Sequence, residues 1–90
     1  MLQTVLIIVT GKVQGVFYRQ TTKEKANELG IKGEVRNMID ESVHIIATGT
    51  KEQLAQFAEW CWQGSPRANV KNVTIKEIDP RSFDKFSIVR

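Results

Sequence analysis

The run Gly11-Lys12-Val13-Gln14-Gly15-Val16-Phe17-Tyr18-Arg19 carries the residue types best suited to gripping an anion. Two glycines stand four residues apart, and an arginine closes the run. Glycine adopts backbone angles that other residues resist, and it lets a ligand come close to the amide N–H groups. An apolar stretch, Val5 to Val9, precedes the run, and a segment of helical character, Gln20 to Leu29, follows it. A turn placed between strand and helix presents converging amides at a helix N-terminus, which favours an anion, phosphate above all. Arg19 adds a planar, permanently charged fork that matches two phosphate or carboxylate oxygens. The same residues also fit a tight strand-to-helix connection with a solvated arginine, and the run by itself leaves both readings open.

A second stretch, Gly33-Glu34-Val35-Arg36-Asn37, ends on a neutral carboxamide. That group has both a donor and an acceptor, so it can orient a water molecule without ionising. Asparagine is equally at home as an ordinary turn residue. Other chemistry is excluded more firmly. His44, the only histidine, alternates with Val43 and Ile45 and falls on the opposite strand face, which gives it a surface role. Cys61 belongs to the apolar stripe of a helix, where a thiol is buried and inert rather than a nucleophile paired with His44. One histidine, one cysteine and no carboxylate cluster at ligand spacing do not make a metal site.

Composition narrows the classes further. Ninety residues make one small domain, spanning 1–90, with no room for a second core. A net charge of +3 with scattered basic residues, and no aromatic RNA-binding signature, argues against a nucleic-acid partner. A lone cysteine excludes an intrachain disulfide and suits a reducing compartment. Met1-Leu2-Gln3-Thr4 lacks the marks of a signal peptide, and the apolar run after it is too short to span a bilayer. These features imply a cytoplasmic protein without a membrane partner.

The elements that position these residues follow from periodicity. Leu2 to Thr10 is apolar at successive positions, as in a central strand with little solvent on either side. Thr22, Ala26 and Leu29 recur at helical spacing, and Gly30 stands where a left-handed cap is expected. Ile31 to Ile39 and the alternating Val43, Ile45 and Ala47 form a hairpin, with Gly33 marking a bulge or close packing. Thr50 and Gln53 form a capping box ahead of a helix that buries Leu54, Phe57, Ala58 and Cys61, with Trp60 and Trp62 as edge packing. Gly64 and Pro66 end that helix. Val73 to Ile78 and Phe86 to Arg90 read as later strands. The order predicts an α+β, ferredoxin-like split βαβ sandwich. Its sheet has four to five mostly antiparallel strands, with two helices on one face.

Residues 11–19 resemble the first signature of the acylphosphatases, Gly-x-Val-Gln-Gly-Val-x-Phe-Arg, with Tyr18 in the last aromatic place. Gly33 to Gly49 is similar to the second signature, keeping Gly33, Val35, Arg36, Asn37, Val43 and Gly49 at matching intervals. Ser65-Pro66, Val70, Val73 and Phe86-Ser87-Ile88 also fit, so the resemblance covers essentially the whole chain. It implies hydrolysis of carboxyl–phosphate anhydrides to a carboxylate and inorganic phosphate, with no metal and no cofactor. It further implies that Arg19 binds the phosphate and that Asn37 positions the attacking water. The amides of Gln14, Gly15, Val16, Phe17, Tyr18 and Arg19 complete the phosphate cradle by the same matching. The expected partner is a small-molecule acyl phosphate, and the expected enzyme is a monomer. A non-catalytic acyl-phosphate or anion-binding module of the same fold is the alternative.

Two positions depart from the family pattern. Glu34 replaces the usual aromatic residue, which would place a negative charge near the active strand. Glu41 replaces the usual glycine, which would strain the hairpin that carries Asn37.

Overall fold

Five consecutive aliphatic residues, Val5 to Val9, favour extended backbone. In a computed structural model that describes residues 1–89, they lie within strand β1, Gln3–Lys12. Helix α1 (Tyr18–Leu29), strands β2 (Lys32–Asn37) and β3 (Val43–Gly49), helix α2 (Lys51–Gln63), and strands β4 (Asn69–Ile78) and β5 (Phe86–Val89) follow. The sheet runs β4-β1-β3-β2-β5, so the five-stranded end of the expected range holds. Every pairing is antiparallel except that of β5 with β2. The expected last strand includes Arg90, which lies outside the described residues.

One sheet face carries the core. Val5, Ile7 and Val9 of β1, Val35 of β2, and Val43, Ile45 and Ala47 of β3 are buried there. Tyr18, Thr22 and Ala26 of α1 and Leu54, Phe57 and Cys61 of α2 cover them. Among the described residues no helix covers the other face, so Leu6 and Ile8 are only half-buried. The expectation that β1 is shielded on both sides is therefore corrected. Trp60 packs against Tyr18 and Phe57, but Trp62 is 51% exposed and is not edge packing.

The signals at the element ends act locally. Gly30 takes φ 77°, and Ile31 N–H bonds back to Ala26 O at 2.8 Å, a left-handed cap that ends α1. The Ile31 side chain is then buried in the core rather than starting β2. Thr50 and Gln53 form the reciprocal capping box. Gly33 is fixed by close packing: a Cβ there would sit 1.9 Å from Ile46 O on the neighbouring strand, at φ 153°.

The hairpin between β2 and β3 positions Asn37. Glu41 sits at φ 74°, as its place in the turn requires, and as a non-glycine residue it costs roughly 1–2 kcal/mol there. Offsetting bonds surround it. Met38 N–H donates to Ser42 O at 2.9 Å, and Glu41 N–H to Met38 O at 3.1 Å. Asp40 Oδ1 accepts from the Ser42 hydroxyl at 2.5 Å and the Ser42 amide at 3.0 Å. Those two donors hold the Asp40 carboxyl below its ordinary range. Glu34, on the face away from the helices, pairs with Arg36 at 2.9 Å, so its charge does not enter the helix side of β2.

Gly33→Ala is expected to destabilise the protein by about 2–3 kcal/mol or more, because neither sheet backbone can retreat. A fall in melting temperature of roughly 10 °C would register it. Asp40 makes a second prediction. Its folded pKa is lowered, so its contribution is complete at neutral pH and is lost as pH falls through the lowered value. Melting curves of Asp40→Ala should therefore show a larger loss of stability at pH 7 than in strong acid.

Candidate active site

The strand directions bring distant residues to one end of the sheet. β1 and β2 are each antiparallel to β3, and β5 is parallel to β2, so all three strands point the same way. Their carboxyl ends therefore lie together. Asn37 and Val9 both pair with Val43, which puts Asn37 two strands from β1, or roughly 10 Å. β2 is not the direct neighbour of β1, since β3 intervenes, yet its last residue comes beside the glycine loop.

That loop lies between β1 and α1. Gly15 has φ 73°, and a Cβ added to it would meet no protein atom within 4 Å. Phe17 has φ 63° and ψ 23°, left-handed for a non-glycine residue, at a cost of roughly 1–2 kcal/mol. A left-handed residue followed by a helical one turns successive amides to one side, which makes an anion-binding concavity. No side chain caps α1, and no acidic residue occupies its first turn. Among the described residues no hydrogen bond uses the amides of Gln14 to Gln20. The first amide bond of the helix runs from Thr21 to Phe17 O, at 3.1 Å.

Carbonyls and side chains hold the loop instead. Val13 and Val16 are buried in the core. Ser65 Oγ donates to Val16 O at 2.7 Å, and the Tyr18 hydroxyl donates to Cys61 O, near the end of α2, at 2.8 Å. Burial pushes the Tyr18 phenol well above its usual range and, as the main cause, pushes the Cys61 thiol up to about 12. Neither group ionises near neutral pH. Gln14 Nε2 donates to Met38 O and Ser42 O, each at 2.9 Å, so its two protons tie the loop to the hairpin just beyond Asn37.

A cavity of about 270 Å³ lies at this junction, lined by Gly15, Phe17, Tyr18, Arg19 and Asn37 among others. Arg19 is half-buried and has no carboxylate partner among the described residues. The Oδ1 of Asn37 is buried without a hydrogen-bond partner, the one such side-chain atom among the described residues. Buried polar groups are normally satisfied, so this oxygen calls for a water or a ligand. A wider groove of about 820 Å³ beside α1 and α2 is lined by Glu24, Lys25 and Glu28, and with Lys25 paired to Glu28 at 2.7 Å it does not suit an anion.

Of the residues expected from sequence, Gly15, Phe17, Tyr18, Arg19 and Asn37 line the cavity. Val16 is buried behind it, and the side chain of Gln14 turns to the hairpin. His44 and Cys61 lie apart from it, on the half-buried strand face and in the core. Ile88 of β5 and Val13 also line the cavity, and sequence alone gave no signal for them there. Nor did it indicate the Gln14 contact, which depends on the fold.

The family model described as acylphosphatase matches residues 5–88. An acylphosphatase of Shewanella amazonensis is 47% identical over 76 residues, covering 84% of each chain. One of Marinobacter nauticus is 49% identical over 72 residues, covering 80% of this chain and 78% of its own. The crystal structure of acylphosphatase from Bacillus subtilis superimposes with a TM-score of 0.95 at 35% identity, covering all of both chains. With the model spanning nearly the whole sequence and both relatives well above a third identical, the chain belongs to the acylphosphatase family, hydrolases of the carboxyl–phosphate anhydride bond.

Proposed function

We propose that the loop amides from Gln14 to Arg19 and the Arg19 guanidinium hold the phosphoryl group of an acyl phosphate, while the Asn37 side chain aims a water at phosphorus. The observation that carries this reading is the set of unspent groups around one cavity. Among the described residues these are a row of free amides, an arginine without a carboxylate and a buried amide oxygen without a partner.

The reaction is hydrolysis at phosphorus. Water oxygen bonds to phosphorus as the bond from phosphorus to the carboxyl oxygen breaks, and the carboxylate leaves with the electron pair. One water proton stays on the new hydroxyl and the other passes to a phosphoryl oxygen, giving a carboxylate and dihydrogen phosphate. The leaving group is already good, so positioning and charge stabilisation are the enzyme's main tasks. Charge-assisted hydrogen bonds are worth roughly 1.5–3 kcal/mol each, and several converge here. No ionisable base is needed, which accords with a cavity whose polar side chains include a neutral amide.

Arg19 and Asn37 reach one cavity beside one continuous core, which supports a single domain over 1–90, and we read the enzyme as a monomer. The free thiol of Cys61 supports a reducing, cytoplasmic setting. Among the described residues no helix is long and apolar enough to cross a membrane. The scattered positive charge gives no footprint for nucleic acid.

Hydrolysis of a model acyl phosphate, with inorganic phosphate as competitive inhibitor, separates the roles. Arg19→Ala should lose roughly 100- to 1,000-fold in kcat and weaken phosphate inhibition with it. Asn37→Ala should lose a similar factor in kcat while phosphate still binds. An unchanged rate in Asn37→Ala would refute the water-aiming role. Gln14→Met keeps side-chain length but removes both donors. It should lower kcat roughly tenfold with little change in the inhibition constant for phosphate. Combined with Asn37→Ala it should add no further loss, because both changes remove the same placement of water.

A further inference from the structure

We propose that Phe17 and Ile88 form an apolar seat for the acyl group, so that the enzyme favours acyl phosphates whose acyl part is aromatic or bulky and apolar. This rests on the reading that the loop amides hold the phosphoryl group. In an acyl phosphate one oxygen joins the carbonyl carbon to phosphorus, so the acyl group must lie beside whatever holds the phosphoryl. Phe17 is in that loop, and its residue is 70% exposed. Of the large apolar residues left in solvent, which include Met1, Leu2, Ile39, Trp62 and Ile75, it is the one that lines this cavity.

The backbone sharpens the point. The position takes a left-handed angle that glycine or asparagine adopts at less cost, yet it carries a large aromatic side chain. Ile88, half-buried on β5, supplies a second apolar wall. Arg19 is the one cationic residue lining the cavity among the described residues. Once it is engaged by phosphate, a carboxylate on the acyl part would find no partner, whereas an aromatic or branched group would gain contact with both walls.

The test compares kcat/KM for benzoyl phosphate and acetyl phosphate in wild type, Phe17→Asn, Phe17→Leu and Ile88→Ala. The two substrates differ in intrinsic reactivity, so the readout is the change in their ratio between variants. In Phe17→Asn, benzoyl phosphate should lose roughly tenfold more than acetyl phosphate. Phe17→Leu should restore most of the preference, and Ile88→Ala should move the ratio the same way as Phe17→Asn. An equal loss for both substrates, or an unmoved ratio, would show that Phe17 only shapes the loop and would overturn the seat. A wild type that hydrolyses neither substrate would instead overturn the phosphoryl-cradle reading, and the seat with it.

Discussion

The arrangement depends on how one nine-residue run, Gly11 to Arg19, spends its hydrogen-bonding capacity. Its carbonyl at Val16 accepts from Ser65, the Tyr18 hydroxyl reaches α2, and Gln14 reaches the hairpin. Val13 and Val16 anchor it in the core. What remains, among the described residues, is a row of N–H groups without protein acceptors in a loop that borders the cavity. A loop held through its own amides would be equally ordered but blind to anions. A loop held by nothing would have to be ordered by the substrate, at a conformational cost of about 1–2 kcal/mol per residue. Here order comes from side chains and carbonyls, and the donors stay available.

Topology does the rest. A helix-crossed unit inserts β3 between β1 and β2 and leaves those two strands running the same way. The end of β2 then sits level with Val9, near the end of β1, although 28 positions separate Val9 from Asn37. Tight packing protects that alignment. Gly33 presses against the β3 backbone, so β2 cannot shift without a clash. The aromatic cluster of Phe57, Trp60, Tyr18 and Phe86 fixes how the two helices and β5 close over the sheet.

Much of this was legible in the chain. The glycines, the capping box and the alternation of Val43, Ile45 and Ala47 act through near neighbours, so spacing alone reveals them. Arg19 and Asn37 stood out because both lie in motifs with matching intervals, and the fold brings both to one cavity. Burial set by neighbours far along the chain was not legible. The apolar run of β1 gives no sign that one sheet face lacks a helix. Nor does the sequence show that Glu34 will sit beside Arg36 on that bare face. The same holds for the Gln14 protons, whose acceptors come 24 and 28 residues later. Trp62 reads as packing from composition and stands in water because the helix turns it outward.

The fifth strand has a consequence for when the protein can work. Among the described residues β5 is joined to the sheet through β2 alone, by parallel pairing that links residue 33 to residue 86, and it brings Ile88 to the cavity. Pairings this distant in sequence are slow to close, because the intervening chain must first be gathered in. A ribosome-bound or truncated chain lacking β5 can already possess the glycine loop, the guanidinium and the carboxamide, but with one wall of the pocket absent. One wall of the pocket is thereby tied to completion of the C-terminal region, and a chain without β5 lacks the enclosure that Ile88 gives beside Arg19 and Asn37.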